Sequence, residues 1–250
     1  MTFKFRNFLI VFTLLISITI YSQNEVYELR TYELNLLKPN DIVHNYLENA
    51  LIPALNRQGI VNIGAFEESG DALPKKVYLL ITYPDMGAYQ TVSDNLKNDK
   101  QFVLDSESYS TTSPEIFPYH RVNTSFIRSV SGFPKLVNPE DGTSIFELRI
   151  YESYNEDALR RKVKMFNDSE FEIFDEIGLH TVFFGENIAG DNLPCLTYLL
   201  GFQDMKERDD NWAKFGPHPE WQRIIKLDEY KNTVSNIIRI FLKPLSYSQL

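Results

Sequence analysis

The chain has 250 residues, 43% hydrophobic and 14% aromatic, with 25 Lys and Arg against 34 Asp and Glu for a formal charge of −9. An acidic surface with no cluster of Lys and Arg argues against a nucleic-acid partner, whose binding rests on neutralised phosphates. With one cysteine, Cys195, no intrachain disulfide can form, so apolar cores must hold the fold.

Lys4 and Arg6 precede an apolar run over 8–20 that ends in Tyr21-Ser22-Gln23. At about thirteen residues the run is shorter than the roughly 20 that a membrane span needs, and it reads as a secretory signal peptide, residues 1–22. Lipid attachment would need a cysteine at the cleavage point, and the one cysteine of the chain is Cys195. The expected product is secreted or periplasmic, soluble and without a stable membrane anchor. Losing Lys4 and Arg6 moves its formal charge from −9 to −11.

Beyond the leader, residues 26–33 alternate as a strand, and Pro39-Asn40-Asp41 opens a helix that Gly59 ends. Strands follow over 60–67 and 76–83, joined by the turn Ser69-Gly70-Asp71. A helical region from Asp85 to about Ser108 and a strand over 122–130 complete the order β-α-β-β-α-β. Residues 131–143, with Gly132, Pro134, Pro139 and Gly142, read as a linker. The same order then returns, with strands near 145–151, 179–186, 195–202 and 234–242 and helices near 154–177 and 204–230.

The return is literal in places. Glu-Leu-Arg-x-Tyr-Glu occurs at 28–33 and at 147–152, Gly70-Asp71-x-Leu73-Pro74 is echoed by Gly190-Asp191-x-Leu193-Pro194, and Tyr78-Leu79-Leu80 by Tyr198-Leu199-Leu200. A period of about 120 residues is too long for a solenoid unit and suits two tandem domains, residues 23–130 and 144–250. The expected class is α+β, two ferredoxin-like β-α-β-β-α-β domains with both helices of each on one sheet face. The bare faces are expected to pair as a pseudo-dimeric barrel.

Alternation along the first strand sorts its side chains. Tyr27, Leu29 and Thr31, with Phe146, Leu148 and Ile150, are expected beneath the helices. Glu28, Arg30 and Tyr32, with Glu147, Arg149 and Tyr151, are expected to face the barrel. A buried Glu and Arg two residues apart suggest a built-in ion pair, which either fixes sheet register or lines a pocket and orients a polar ligand. His180, aligned with Val61, is a further barrel-facing candidate or a structural histidine. The four histidines lack metal-ligand spacing, so no metal site is expected. Cys195, without a nearby histidine or helix start, reads as a small buried apolar residue. Neither a Gly-rich phosphate loop nor a nucleophile elbow is present, and no cofactor is assigned.

The opening Tyr/Phe-Glu-Leu-Arg-x-Tyr strand, the Gly-x hairpin and the late His218-Pro219-Glu220-Trp221 resemble the NIPSNAP family over nearly the whole mature chain. The second copy fits better, since the first has Asp99-Lys100-Gln101-Phe102 at the aligned place. The resemblance implies a dimeric α/β-barrel fold and carries across no catalytic residue. Two functions stay open: binding of a small apolar or amphipathic ligand in the barrel, or of a protein partner; and a cofactor-free monooxygenase-like or haem-handling enzyme, in which Tyr32, Tyr151, Arg149 and His180 share a cavity. The second copy, with Trp212 and Trp221, is the favoured location. A homodimer also stays open.

Overall fold

A computed structural model describes residues 24–250, so the expected signal peptide lies outside the described residues. In the first half, β1 (Val26–Leu34) leads into α1 (Asp41–Tyr46), a π-helical turn (Leu47–Leu51) and α2 (Ile52–Arg57). The hairpin β2 (Gly64–Glu68) and β3 (Lys76–Tyr83) follows, then α3 (Met86–Asn98), α4 (Lys100–Asp105), α5 (Glu107–Ser110) and β4 (Tyr119–Ser129). The second half runs β5 (Ile145–Glu152), α6 (Glu156–Met165), a π-helical turn (Phe166–Glu170), α7 (Phe171–Ile177), β6 (His180–Ala189), β7 (Cys195–Phe202), α8 (Met205–Phe215), α9 (Pro219–Ile224) and β8 (Asn236–Pro244). Side-chain caps start the main helices: Ala88 N donates to Asp85 Oδ1 at 2.7 Å, Ala158 N to Asn155 Oδ1 at 2.9 Å and Glu207 N to Asp204 Oδ1 at 2.8 Å. Asn40, at the start of α1, makes no side-chain cap bond.

The eight strands close into one antiparallel barrel in the order β1-β3-β2-β8-β5-β7-β6-β4. The two sheets therefore join edge to edge, at β2–β8 and β4–β6, and closure leaves neither half with a free edge. Three apolar layers result. The lumen is filled from both halves by Tyr27, Leu29, Phe66, Phe146, Leu148 and Phe183 among others, while the two outer faces are covered separately by the helices of each half. Large and small residues trade places in the lumen: a Cβ on Gly64 would stand 2.5 Å from the Phe66 ring, and one on Gly185 would stand 2.6 Å from Ile127 Cγ2.

Two straps seal one end of the barrel. The linker pairs Val137 N with Val182 O at 2.9 Å, the C-terminal tail pairs Gln249 N with Ile63 O at 2.9 Å, and Leu136 and Leu250 pack on the lumen core. The linker is thus part of the packing.

Two expectations are corrected. Tyr27, Leu29, Phe146 and Leu148 point into the lumen, whereas Tyr32 and Tyr151 pack under the helices, so the faces are the reverse of those expected. Both faces of these strands are covered, so alternation separates two sets without saying which is inside. The charges take the side on which helices can bring partners. The echo of Tyr78-Leu79-Leu80 in Tyr198-Leu199-Leu200 is also out of structural register. Arg30 pairs with Leu79 on β3, and its counterpart Arg149 pairs with Tyr198 on β7. A one-residue slip reverses every side chain, so Tyr78 enters the lumen and Tyr198 joins the helix-facing core.

Candidate functional site

The Glu-Leu-Arg-x-Tyr motif of β5 builds the floor of a cavity between the sheet and the second helical layer. Glu147 is 0% exposed and accepts four hydrogen bonds: from Arg149 Nη1 at 2.5 Å, Arg208 Nε and Nη2 at 2.8 and 3.1 Å, and Trp212 Nε1 at 3.0 Å. Four N–H donors saturate the carboxylate. Burial pushes its pKa up, but the Arg208 hydrogen bonds and the charges of both arginines outweigh this and hold it below the usual range. Arg149 lies over the Trp212 ring at 4.2 Å, a favourable cation–π distance, while its Nε is buried without a hydrogen bond.

Tyr151 comes next along β5. Its hydroxyl accepts from Arg149 Nη2 at 3.0 Å and from Tyr198 OH at 2.9 Å, so its own hydrogen is left to donate. Across the cavity, Lys162 of α6 pairs with Glu170 of the π-helical turn, both almost fully buried. Burial raises the Glu170 pKa against the opposing pull of Lys162. The Lys162 Nζ also lies 4.7 Å from the Phe166 centroid and 5.7 Å from those of Tyr151 and Trp221. The cavity is open on one side and measures about 400 Å³, with Trp212, Phe215, Trp221 and Tyr230 as aromatic walls and Ile225 and Ile237 at its edge. A polar floor beneath aromatic walls suits an amphipathic ligand.

The first half has the same framework, filled differently. Glu28 accepts from Arg30 Nε at 2.6 Å and Nη2 at 3.1 Å and from Tyr83 OH at 3.0 Å. Val43 and Leu51 hold the positions of Lys162 and Glu170 at equal spacing from the motif, and Tyr46 that of Met165. Tyr46 stacks on Tyr109 with centroids 3.9 Å apart, Tyr109 OH hydrogen-bonds Tyr119 OH, and Tyr119 meets Tyr32 edge-on at 5.4 Å. Rings thus occupy the space that remains open in the second half.

Of the residues singled out in the sequence, the structure brings Arg149 and Tyr151 together at this cavity, with Glu147 beneath them. Glu28, Arg30 and Tyr32 form the equivalent cluster in the other half. His180 joins neither, because its side chain is 41% exposed and pairs with Glu140 of the linker at 3.2 Å. The shared cavity expected for Tyr32, Tyr151, Arg149 and His180 is therefore not formed. Cys195 is buried, and burial pushes its thiol up to about 12. Among the described residues no group of three or more His, Cys, Asp or Glu is placed to hold a metal ion, and no helix is long and apolar enough to cross a membrane. Lys162, Glu170, Tyr198 and Arg208 were missed. Lys162 and Glu170 did carry a signal, since each is a charge where the first copy has an apolar core residue.

A closed antiparallel barrel of two repeated α/β halves in one polypeptide, with a largely apolar cavity on a polar floor under one helical layer, places the protein among the dimeric α/β-barrel folds. The NIPSNAP family model matches residues 27–115 and 146–249, and the chain belongs to the NIPSNAP family. Comparison with curated proteins finds no match. Among solved structures, a candidate monooxygenase from Fusobacterium nucleatum is 14% identical with a TM-score of 0.56, over 89% of this chain and 93% of that one. A candidate monooxygenase from Lactobacillus acidophilus is 12% identical with a TM-score of 0.57, over 88% and 94%. A mutant chlorite dismutase from Candidatus Nitrospira defluvii is 8% identical with a TM-score of 0.50, over 89% and 92%. At these identities the likeness is one of fold.

Proposed function

We propose that this NIPSNAP-family protein is an exported binder of a small amphipathic ligand, and that its site is the cavity of the second half. Each half is read as a ferredoxin-like unit, supported by the strand orders β4-β1-β3-β2 and β8-β5-β7-β6. The observation that carries the reading is the asymmetry between halves: tyrosine rings fill the first, while the second keeps a space of about 400 Å³ over Arg149, Tyr151, Lys162 and Glu170. Nothing in packing requires a buried Lys–Glu pair where Val43 and Leu51 serve the other half, since such pairs add little net stability over apolar residues. The ligand is taken to lay a flat apolar body between Trp212 and Trp221 and to present an oxygen acceptor to the Tyr151 hydroxyl. Export is supported by Lys4, Arg6 and the short apolar run after them.

An oxidoreductase of the monooxygenase kind would have to use this same cavity, with Tyr151 as its proton donor. None of the four histidines lines it, so it offers a haem iron no imidazole ligand. Native mass spectrometry of the protein purified from its own host tests binding and cleavage together. The expected result is a chain cut near Ser22 carrying a discrete extra mass, which is lost from Ile225→Trp, a substitution at the 37% exposed cavity edge. An extra mass that Ile225→Trp retains would overturn the assignment of the site. Oxygen uptake with turnover of the released ligand would shift the reading to an enzyme.

A further inference from the structure

The strands that carry the proposed site have a second face, toward the lumen. Opposite the sealed end, the barrel opens into a cavity of about 260 Å³, reached by Leu148 and Ile150 of β5, which alternate with Arg149 and Tyr151. Its wall is divided. Along β8 and β5, Ile238, Ile240 and Ile150 form an apolar arc of half-buried side chains. Along β7, β6 and β4, Thr197, Asn187 and Ser125 form a polar arc facing it. The division breaks the internal repeat: β8 and β4 are equivalent strands, yet one offers isoleucines and the other Asn123 and Ser125.

Two details argue that the space is built to be filled. Asn187 is only 7% exposed, and its carbonyl accepts from Thr197 Oγ1 at 2.7 Å. Among the described residues its amide nitrogen has no hydrogen-bond partner, and it is not sealed off from solvent, so it reaches open space in the cavity it lines. A donor that reaches open space without a protein partner is free to meet a ligand acceptor, and the Thr197 bond fixes which way it points. The second hairpin also leans over the opening. Gly190 packs so closely on β4 that a Cβ there would stand 2.4 Å from Ser125 Oγ, and Asp191 and Asn192 reach the cavity rim, whereas Gly70 of the first hairpin has nothing within 4 Å.

We infer that the barrel mouth is a second binding site, for a small neutral molecule with one oxygen acceptor at its head and a short aliphatic body. The head accepts from the Asn187 amide beside Thr197, and the body lies on Ile150, Ile238 and Ile240. Charge at the wall is confined to Glu33, Lys76 and Asp191, which carry both signs, so a neutral ligand fits better than an ion. This site stands on the other face of β5 and β7 and does not depend on the proposed function of the helix-covered cavity.

The test is a titration of the isotope-labelled full protein with hexanamide, followed by amide chemical shifts. The expected result is saturable shifts concentrated at Ser125, Asn187 and Thr197, with no change around Trp212 and Trp221. Asn187→Asp keeps the acceptor for Thr197 and removes the donor, and should weaken binding about tenfold. Ile238→Trp, which fills the apolar arc, should abolish it with the rest of the spectrum unchanged. Failure of wild type to shift up to the solubility of the probe, or shifts confined to the helix-covered cavity, would overturn the inference. Binding at the mouth that survives both substitutions would do the same.

Discussion

Arg30 and Arg149 occupy equivalent places, yet their carboxylates are supported unequally, and this orders the effect of removing them. Without Arg149, Glu147 keeps both Arg208 hydrogen bonds and Trp212 Nε1; without Arg30, Glu28 at 2% exposure keeps only Tyr83 OH. A buried carboxylate stripped of its cation costs about 3–5 kcal/mol, so Arg30→Ala is expected near the top of that range and Arg149→Ala below it. Urea unfolding of both variants checks the order; equal losses would mean that Arg208 does not support Glu147. The same residue sets an acid dependence. The folded-state pKa of Glu147 lies below its unfolded value of about 4.3, so its contribution is complete above that pH and is lost as pH falls through the lower folded value. Glu147→Gln should therefore flatten the stability profile below about pH 4.3, measured as unfolding midpoints across an acid series. Spacing alone made the ion pairs legible, because a Glu and an Arg two apart on one strand face must meet. Their side of the sheet was not legible, since Arg208 and Trp212, which decide it, come from α8.

At the scale of elements, the helical run carrying the second site places charges, Lys162 for Val43 and Glu170 for Leu51, at buried positions that are apolar in its twin, around π-helical turns at matching places. Such turns often mark functional positions in helices. The double variant Lys162→Val, Glu170→Leu installs the first half's apolar pair at these two positions. It is expected to be as stable as wild type or more stable by about 1–4 kcal/mol, because the desolvation cost of the pair disappears, while the extra mass carried by wild type is lost. Calorimetry beside native mass spectrometry reads both, and a large fall in Tm would show the pair to be structural. Element order was readable from periodicity and turn residues. The break of the long second helical region into α8 and α9 was also signalled, by Gly216-Pro217 and Pro219. The slip between β3 and β7 was not, because Tyr-Leu-Leu is apolar throughout and reads equally well one residue along.

In the whole molecule, one lumen is filled from both halves, so neither half can bury its inner sheet face alone. Residues 144–250 expressed by themselves would expose Phe146, Leu148, Phe183 and Leu199 together with the edges of β6 and β8. They are expected to close a barrel with a second copy and to sediment as a dimer; a stable monomer would mean that the lumen is not the unit of folding. The duplication was visible in sequence, and closure into one barrel followed from two bare sheet faces. The location of the open cavity did not follow, because it depends on what the helical layers leave unfilled.

The central claim, a ligand cavity in the second half, is open to one direct measurement. Both tryptophans of the chain, Trp212 and Trp221, line that cavity, so intrinsic fluorescence reports on it without labels. Titration with the flat amphipathic probe 1-anilinonaphthalene-8-sulfonate should quench tryptophan emission saturably at one probe per chain and do so no longer in Ile225→Trp, with its added tryptophan allowed for by a matched control. Absence of saturable quenching in wild type, or quenching that survives the substitution, would contradict the account.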